Sequence, residues 1–494
     1  MKLLLLNYSY LQHELREIGH EVTSAGMMPD CDIVCSMENY DVEWILQQID
    51  FTPDWIIFMD SIERVLPTGL ETIEIPLAAC FIDSTLNRFW QHPLAEVCSL
   101  VLTDQTTDAS YLKQKGLNAH WFPLAADSLI YQPSDIKKEY DLSFIGHRHA
   151  ENRIKRENIL KGLAGRFNVT LFTGEPHLSA EGCAHVYQRS KLVLNENLFP
   201  AVNLRLFEAM ACGTTVLTEA NAPGLSNLFK HERELLAYTP DNLIDLVAHY
   251  LDDDSEREKI AERSAVAIGR DHTLLKRAKQ LTDLISRTEP IQVSRPKRCV
   301  IVAESFMNYG LKWSHKDLGR AHVVARMLLD VSGSRDLTDK GMELRRLGLE
   351  GLLSVLGGNL ESATSYFQAA RDLAPDSGSA LDLLSITKIA LLDTTDEERR
   401  LTSMDFHLER GEMLLKSGLA FQPGLMARNL PVHFWSALEH FMFTAQMEPQ
   451  VWELVGDLLM KAEAPDQAAK AYREAETVNQ DKVQEADKLA YALL

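Results

Sequence analysis

Over the first 290 residues, short uninterrupted apolar runs alternate with stretches in which apolar positions recur every three or four residues. The runs are "DWIIFM", "LAACFI", "CSLVLT", "DLSFIG", "NVTLFT", "KLVLNE" and "TTVLTE", and the opening "MKLLLL" reads as one more buried strand. An apolar run without polar alternation predicts a strand covered on both faces, and helices between such strands predict parallel sheets. The runs form two groups, divided by the proline-containing "HWFPLAADSLIYQP" and the charged start of "KKEYDLSFIG". Two Rossmann-like α/β domains are therefore expected, residues 1–135 and 136–290, the second closing on the helical pattern "DHTLLKRAKQLTDLISR". The two prolines of "TEPIQVSRPKR" break that pattern, so residues 291–340 read as a linker and helical lead-in. From 341 to 494 strand runs all but disappear, and an all-α domain is expected.

Composition narrows the class. The 494 residues exceed what one core holds, and 46% apolar with 24% charged residues is ordinary for a folded globular chain. A net charge of −21 argues against coating nucleic acid or anionic membrane, so any phosphate must be held by local groups. No stretch approaches the roughly 20 apolar residues of a membrane span. The apolar part of "MKLLLLNYSY" is also short for a secretory signal, and a soluble cytoplasmic protein is expected. Seven cysteines are scattered, and Cys31 with Cys35 has neither zinc spacing nor a second pair. G-x-G-x-x-G after the first strand, G-x-x-x-x-G-K-[ST] and G-x-S-x-G are all absent, which demotes dinucleotide oxidoreductases, P-loop enzymes and α/β-hydrolases.

The stretch "NLRLFEAMACGTTVLTE", residues 203–219, carries the most chemistry. Asn203 is placed to cap a helix and Gly213 to turn it into the next strand. The helix start favours an anion such as a diphosphate, and Arg205 adds a planar fork to grip it. Glu208, one turn on, suits the two hydroxyls of a ribose. The competing reading is a surface ion pair between Arg205 and Glu208, worth a few tenths of a kcal/mol. "GHRH" follows a strand, where Gly146 would admit phosphate and His147 or Arg148 would donate; Asn195 or Glu196 of "LNEN" would face the sugar. His147 and His149 lack the partners of a metal site, and "DDDS" at 252–255 reads as a solvated flank, so no metal is expected.

The 203–219 stretch resembles the donor-binding segment of GT-B glycosyltransferases of the group 1 type, most closely the branch with the CgeB-like spore-maturation proteins, where Asn-x-Arg-x-Phe-Glu precedes Ala-Cys-Gly. "YDLSFIGHRH" and "VLTDQTTDASYLKQKGLNAHWFPLAAD" are similar to that family as well, so the resemblance spans roughly residues 55–290. It implies a GT-B fold, a nucleotide-diphosphate sugar as co-substrate with no other cofactor, Glu208 on the ribose and Arg205 on the diphosphate. Many retaining members carry a Glu-x7-Glu pair; eight residues before Glu208 this chain has Pro200, so the first carboxylate is absent or supplied elsewhere.

Hexosyl or related transfer builds charge on the departing phosphate, which fixed Arg and amide donors stabilise without a metal. An inverting reaction needs a base on the acceptor side. Asp83, ending "LAACFID", is the first candidate and His92 the second; Asp83 otherwise caps the helix beginning "STLNRFW". In a retaining reaction the leaving phosphate itself is the base.

In the tail, Gly351, Ala363, Phe367, Ala370 and Pro375 fall at the offsets of a tetratricopeptide repeat, as do Trp452, Gly456, Ala468, Tyr472 and Ala475. Ala437, Phe441 and Pro449 fit half of another, so three or four helix pairs are expected. Such repeats imply a protein or peptide acceptor, for instance a bacterial surface or flagellar protein, in an arrangement that resembles O-GlcNAc transferase with the order reversed. A glycan or small-metabolite acceptor, with the repeats serving assembly into an oligomer, and a non-catalytic nucleotide-binding scaffold are the alternatives.

Overall fold

The computed structural model describes residues 1–60, 65–146, 154–174, 177–197, 200–313, 318–332, 339–357, 359–374, 451–461, 465–475 and 482–484. Two compact units divide the chain, Met1–Ser332 and Gly333–Leu494.

The first unit holds two parallel sheets. One contains β1 (Lys2–Leu6), β2 (Glu21–Gly26), β3 (Ile33–Val34), β4 (Trp55–Met59), β5 (Leu77–Phe81), β6 (Leu100–Thr103) and β7 (Ala119–Trp121), in the order β3-β2-β1-β4-β5-β6-β7. The other contains β8 (Tyr140–Ile145), β9 (Val169–Phe172), β10 (Ser190–Asn195), β11 (Thr215–Glu219) and β12 (Leu236–Tyr238), in the order β12-β11-β10-β8-β9. Leu3 to Leu6 and all of β4, β5 and β6 are buried, which is why these strands carry no polar alternation. Each of the eight apolar runs forms a strand; β2, β3, β7 and β12 are the strands that no apolar run marks.

Chain order and packing diverge after the second sheet. The helix Leu274–Arg287 follows the second domain in sequence, yet Ala278, Leu281 and Ile285 are buried in the core of the first sheet with Leu3, Leu5 and Leu11. The helices Arg295–Trp313 and Leu318–Ser332 pack on each other, and the first of them packs on the helix Ser84–Ala95. Trp90 stands edge-on to Tyr309 at 5.8 Å and Asn308 donates to the Phe89 carbonyl at 2.8 Å. Residues 295–313 and 318–332 thus extend the first domain's helical layer.

In the second unit the helices Lys340–Leu356 and Leu360–Leu373 form one pair, and Val451–Lys461 and Pro465–Glu474 another. Both pairs use the same contact. A Cβ on Gly351 would lie 2.1 Å from the Phe367 ring and one on Gly456 2.2 Å from the Tyr472 ring, so only glycine lets each aromatic reach the neighbouring backbone. Pro375, Ala437, Phe441 and Pro449 lie outside the described residues. Gly351→Ala should cost about 1–3 kcal/mol through overpacking against the buried Phe367. Faster amide hydrogen exchange across residues 340–373, with residues 1–332 unchanged, is the expected readout.

Candidate functional site

Strand order locates the site. The second sheet grows from β8 to β9 on one side and then resumes with β10 on the other, so a crevice opens beyond the carboxyl ends of β8 and β10. Gly146 follows β8 with φ +145°, and a Cβ there would be 2.8 Å from Nη2 of Arg205. The bare backbone is what lets the guanidinium lie in the crevice, 5.1 Å from the centre of the Phe144 ring.

The helix Leu204–Ala211 presents Arg205 in its first turn because Asn203 caps it, accepting from the Leu206 amide at 3.3 Å. Asn203 also donates to Oδ1 of Asn197, whose own amide reaches the Ala201 carbonyl at 2.6 Å. Arg205 donates through Nη1 to Asn195 Oδ1 at 3.0 Å and to the Glu196 carbonyl at 3.4 Å. Glu208, one turn on, has the phenols of Tyr131 and Tyr187 beside its carboxylate. Burial pushes its pKa up, against the pull of Tyr131 and Arg205. Arg205 and Glu208 form no ion pair with each other: the guanidinium bonds to Asn195 and the Glu196 carbonyl, and the carboxylate lies beside two phenols.

A second layer of charge surrounds this core. Arg156, from the helix Ile154–Ala164, lies 5.2 Å from the same Phe144 ring, pairs with the Glu196 carboxylate and donates to the Glu196 carbonyl at 3.1 Å. Lys155 pairs with Glu219 at the end of β11, and Glu219 also accepts from the Asn197 amide at 3.3 Å. Burial raises the Glu196 pKa, against its bond to Arg156. His147 and Arg148 lie outside the described residues, as does His149.

On the first sheet, Asp83 heads the helix Ser84–Ala95 in a left-handed conformation, φ 49°. The cap of that helix is Asp104, at the end of β6. Its carboxylate accepts from the amides of Asp83 at 2.9 Å and Ser84 at 3.1 Å, from Ser84 Oγ at 2.7 Å and from Gln105 Nε2 at 3.0 Å. Burial pushes Asp104 up to about 6 in spite of these donors. With capping assigned to Asp104, the half-buried Asp83 carboxylate need not do it. The Gln105 amide reaches across to the Val202 carbonyl at 3.4 Å, next to Asn203, so the backbone at Asp83 is tied to the start of the Arg205 helix through Asp104, Gln105 and Val202.

His92 lies nine residues beyond Asp83, roughly 13 Å along the helix at 1.5 Å per residue; it meets Asp108 at 3.3 Å and stacks on Tyr111 at 5.0 Å.

Residues 148–283 match the glycosyl transferase-like family model, Glyco_trans_1_2. Among solved structures the chain is similar to sucrose-phosphate synthase from Thermosynechococcus elongatus, at 11% identity and a TM-score of 0.44 over 58% of this chain and 98% of that one. It is also similar to Anabaena Alr3699/HepE in complex with UDP and glucose, at 13% identity and a TM-score of 0.42 over 58% of this chain and 99% of that one. No curated protein matches the chain.

Lys155, Arg156, Tyr131, Tyr187 and Glu219 join the site although no sequence motif points to them. They come from the start of one helix, a connector, the end of another helix and a strand end, and only the strand-end position of Glu219 was a usable signal. Among the described residues no helix is long and apolar enough to cross a membrane, and no three His, Cys, Asp or Glu side chains gather as a metal site requires.

Asp108 itself carries a pH prediction. Burial pushes its carboxyl up, but the bonds from His92 and Arg88 and the Arg88 charge outweigh that and hold it at about 2. A depressed carboxylate stabilises the fold above its unfolded pKa of about 4, and that contribution, on the order of 2 kcal/mol, is lost as pH falls from about 4 to 2. The gap in urea midpoint between wild type and Asp108→Asn should therefore shrink between pH 5 and pH 3.

Proposed function

We propose that this chain is a glycosyltransferase that moves a sugar from a nucleotide-diphosphate sugar to an acceptor. The observation that carries the reading is the Arg205 guanidinium, set against Gly146 at the switch point of the second sheet and unpaired with Glu208. The family match over residues 148–283 supports it. The diphosphate lies on Arg205 and the amides at the start of the 204–211 helix, near Asn203, with Asn195 beside the sugar. Glu208 takes the ribose hydroxyls. His147 and Arg148 follow Gly146 in the chain and extend the donor side.

Bond breaking at the anomeric carbon leaves negative charge on the phosphate, and Arg205 with the helix amides stabilises it without a metal. Asp83, across the cleft, accepts the proton of the attacking hydroxyl. The helix pairs that seat Phe367 and Tyr472 against Gly351 and Gly456 read as tetratricopeptide-like, and they recruit a polypeptide acceptor.

A panel of uridine, guanosine, adenosine and thymidine diphosphates tests this. A ligand that binds only the folded state raises the unfolding temperature. At least one diphosphate should do so for wild type and none for Arg205→Ala or Glu208→Ala; a wild type that responds to no diphosphate overturns the reading.

A further inference from the structure

The hydroxyl of Tyr238 is buried with no hydrogen-bond partner, on a residue 2% exposed. A phenol in that state has lost its water and gained nothing, a cost of about 1–3 kcal/mol that folding ordinarily avoids. Its surroundings are specific. β12 pairs with β11 so that Tyr238 stands opposite Glu219, and the charges that act on the phenol are those of Glu219, Glu196, Arg156 and Arg205. Burial raises its pKa, and the two carboxylates raise it further, so it remains a donor at any working pH.

Those neighbours hold an exchangeable arrangement. Arg156 and Arg205 flank Phe144 and donate to one and the same Glu196 carbonyl, so an anion that lies on Arg205 is also beside Arg156. In the resting state the Glu196 carboxylate fills that place on Arg156. A diphosphate is a stronger anion with more oxygens for the guanidinium fork, and two negative groups cannot share the one cation at low cost. Glu196 is 2% exposed, so on leaving Arg156 it needs a donor inside the protein. Among the described residues, the Tyr238 hydroxyl is a donor close enough to feel the Glu196 charge and without a bond of its own.

We propose that Tyr238 is the receiving partner of Glu196: a nucleoside diphosphate bound at Arg205 takes over Arg156, and the carboxylate it displaces moves to the Tyr238 hydroxyl. Tyr238 is thus a positioning residue for donor binding that touches neither nucleotide nor sugar. The inference rests on the donor site proposed above. It adds an internal anion that competes with the donor and a phenol that takes it up.

The test is Tyr238→Phe, which removes one oxygen that bonds to nothing in the resting fold. Titration calorimetry with UDP-glucose, GDP-mannose and dTDP-glucose measures affinity, and a urea midpoint measures stability. We expect the variant to hold or raise its midpoint and to bind the donor three- to tenfold more weakly. Glu196→Gln, whose neutral amide competes less for Arg156, should bind the donor more tightly than wild type. Unchanged affinity in Tyr238→Phe overturns the proposal, as does a fall in its midpoint, which would make the oxygen structural. Weaker binding by Glu196→Gln also overturns it. If wild type binds none of the three donors, the function reading falls with it; if wild type binds and only the variants misbehave, the donor site stands and the exchange alone is wrong.

Discussion

Arg205→Ala should abolish measurable donor binding, a loss of at least about a hundredfold, while the fold stays intact. Two charge-assisted bonds from a guanidinium to phosphate contribute about 1.5–3 kcal/mol each, and their joint loss amounts to roughly 3–6 kcal/mol, or about two to four powers of ten. The fold has little at stake there. Arg205 is half-buried, its protein partners are Asn195 Oδ1 and the Glu196 carbonyl, and the helix keeps its Asn203 cap. Asn195 keeps its bond to Thr218 at 3.0 Å and the Glu196 carbonyl keeps Arg156. Arg205→Lys retains the charge without the planar fork and should fall between the two. Calorimetric titration beside a urea midpoint separates the outcomes: equal affinity in Arg205→Ala and wild type removes Arg205 from the donor site, and a collapsed midpoint makes it a structural residue.

Arg277→Met should destabilise the first unit by roughly 3–5 kcal/mol. The chain crosses between the two sheets twice, outward near residues 122–126 and back near residues 271–274. The crossings are tied to each other where Ala126 donates to the His272 carbonyl at 3.0 Å and Leu274 to the Ala126 carbonyl at 3.2 Å. Arg277, 4% exposed, is the clamp on both. Nε donates to the Pro123 carbonyl at 2.5 Å, Nη2 to the Leu124 carbonyl at 3.3 Å and Nη1 to the Asp271 carbonyl at 3.2 Å. Nη2 also meets His272 Nδ1 at 3.0 Å, and burial first, then the Arg277 charge, pushes that imidazole down to about 4, so it accepts as a neutral ring at pH 7. Methionine fills the volume and leaves three carbonyls without their donor. The urea midpoint of the full chain should drop sharply, with lysine rescuing only in part, since one ammonium cannot reach carbonyls on two crossings at once. A midpoint within 1 kcal/mol of wild type, about the value of one ordinary hydrogen bond, would show that the crossings hold without the clamp.

These two arginines were unequally visible before the fold was known. Arg205 sits in a motif, with a capping asparagine before it and a glycine turn after it, and local chain geometry alone puts it at a helix start. Arg277 sits in a helix whose sequence reads as amphipathic and no more; its significance comes from carbonyls about 150 residues away in the chain. The same contrast runs through the site. Asn203, Gly146 and Asn195 lie at strand ends and helix starts, positions that hydrophobic patterning marks. Tyr131, Tyr187 and Tyr238 are aromatic residues that no motif singles out; the first two lie beside the Glu208 carboxylate and the third has a hydroxyl without a hydrogen-bond partner.

By itself the sequence determined the eight strands that apolar runs mark, their parallel class and the helix-to-strand turn within residues 203–219. Burial on both faces demands unbroken apolar runs, and helix ends demand particular residues within a few positions, and both demands are met locally. Only tertiary structure decided that β2, β3, β7 and β12 are strands, because "EVTSAG", "IV", "AHW" and "LAY" are held extended by the neighbours they pair with. Only tertiary structure placed the helix Leu274–Arg287 in the first sheet's core, made Asp104 the cap in place of Asp83, and sent Arg205 and Glu208 to different partners. The reason is the same throughout: a carboxylate or guanidinium shielded from water is satisfied by whichever partner packing brings within about 3 Å, and that partner is set by how sheets and helices stack, not by distance along the chain.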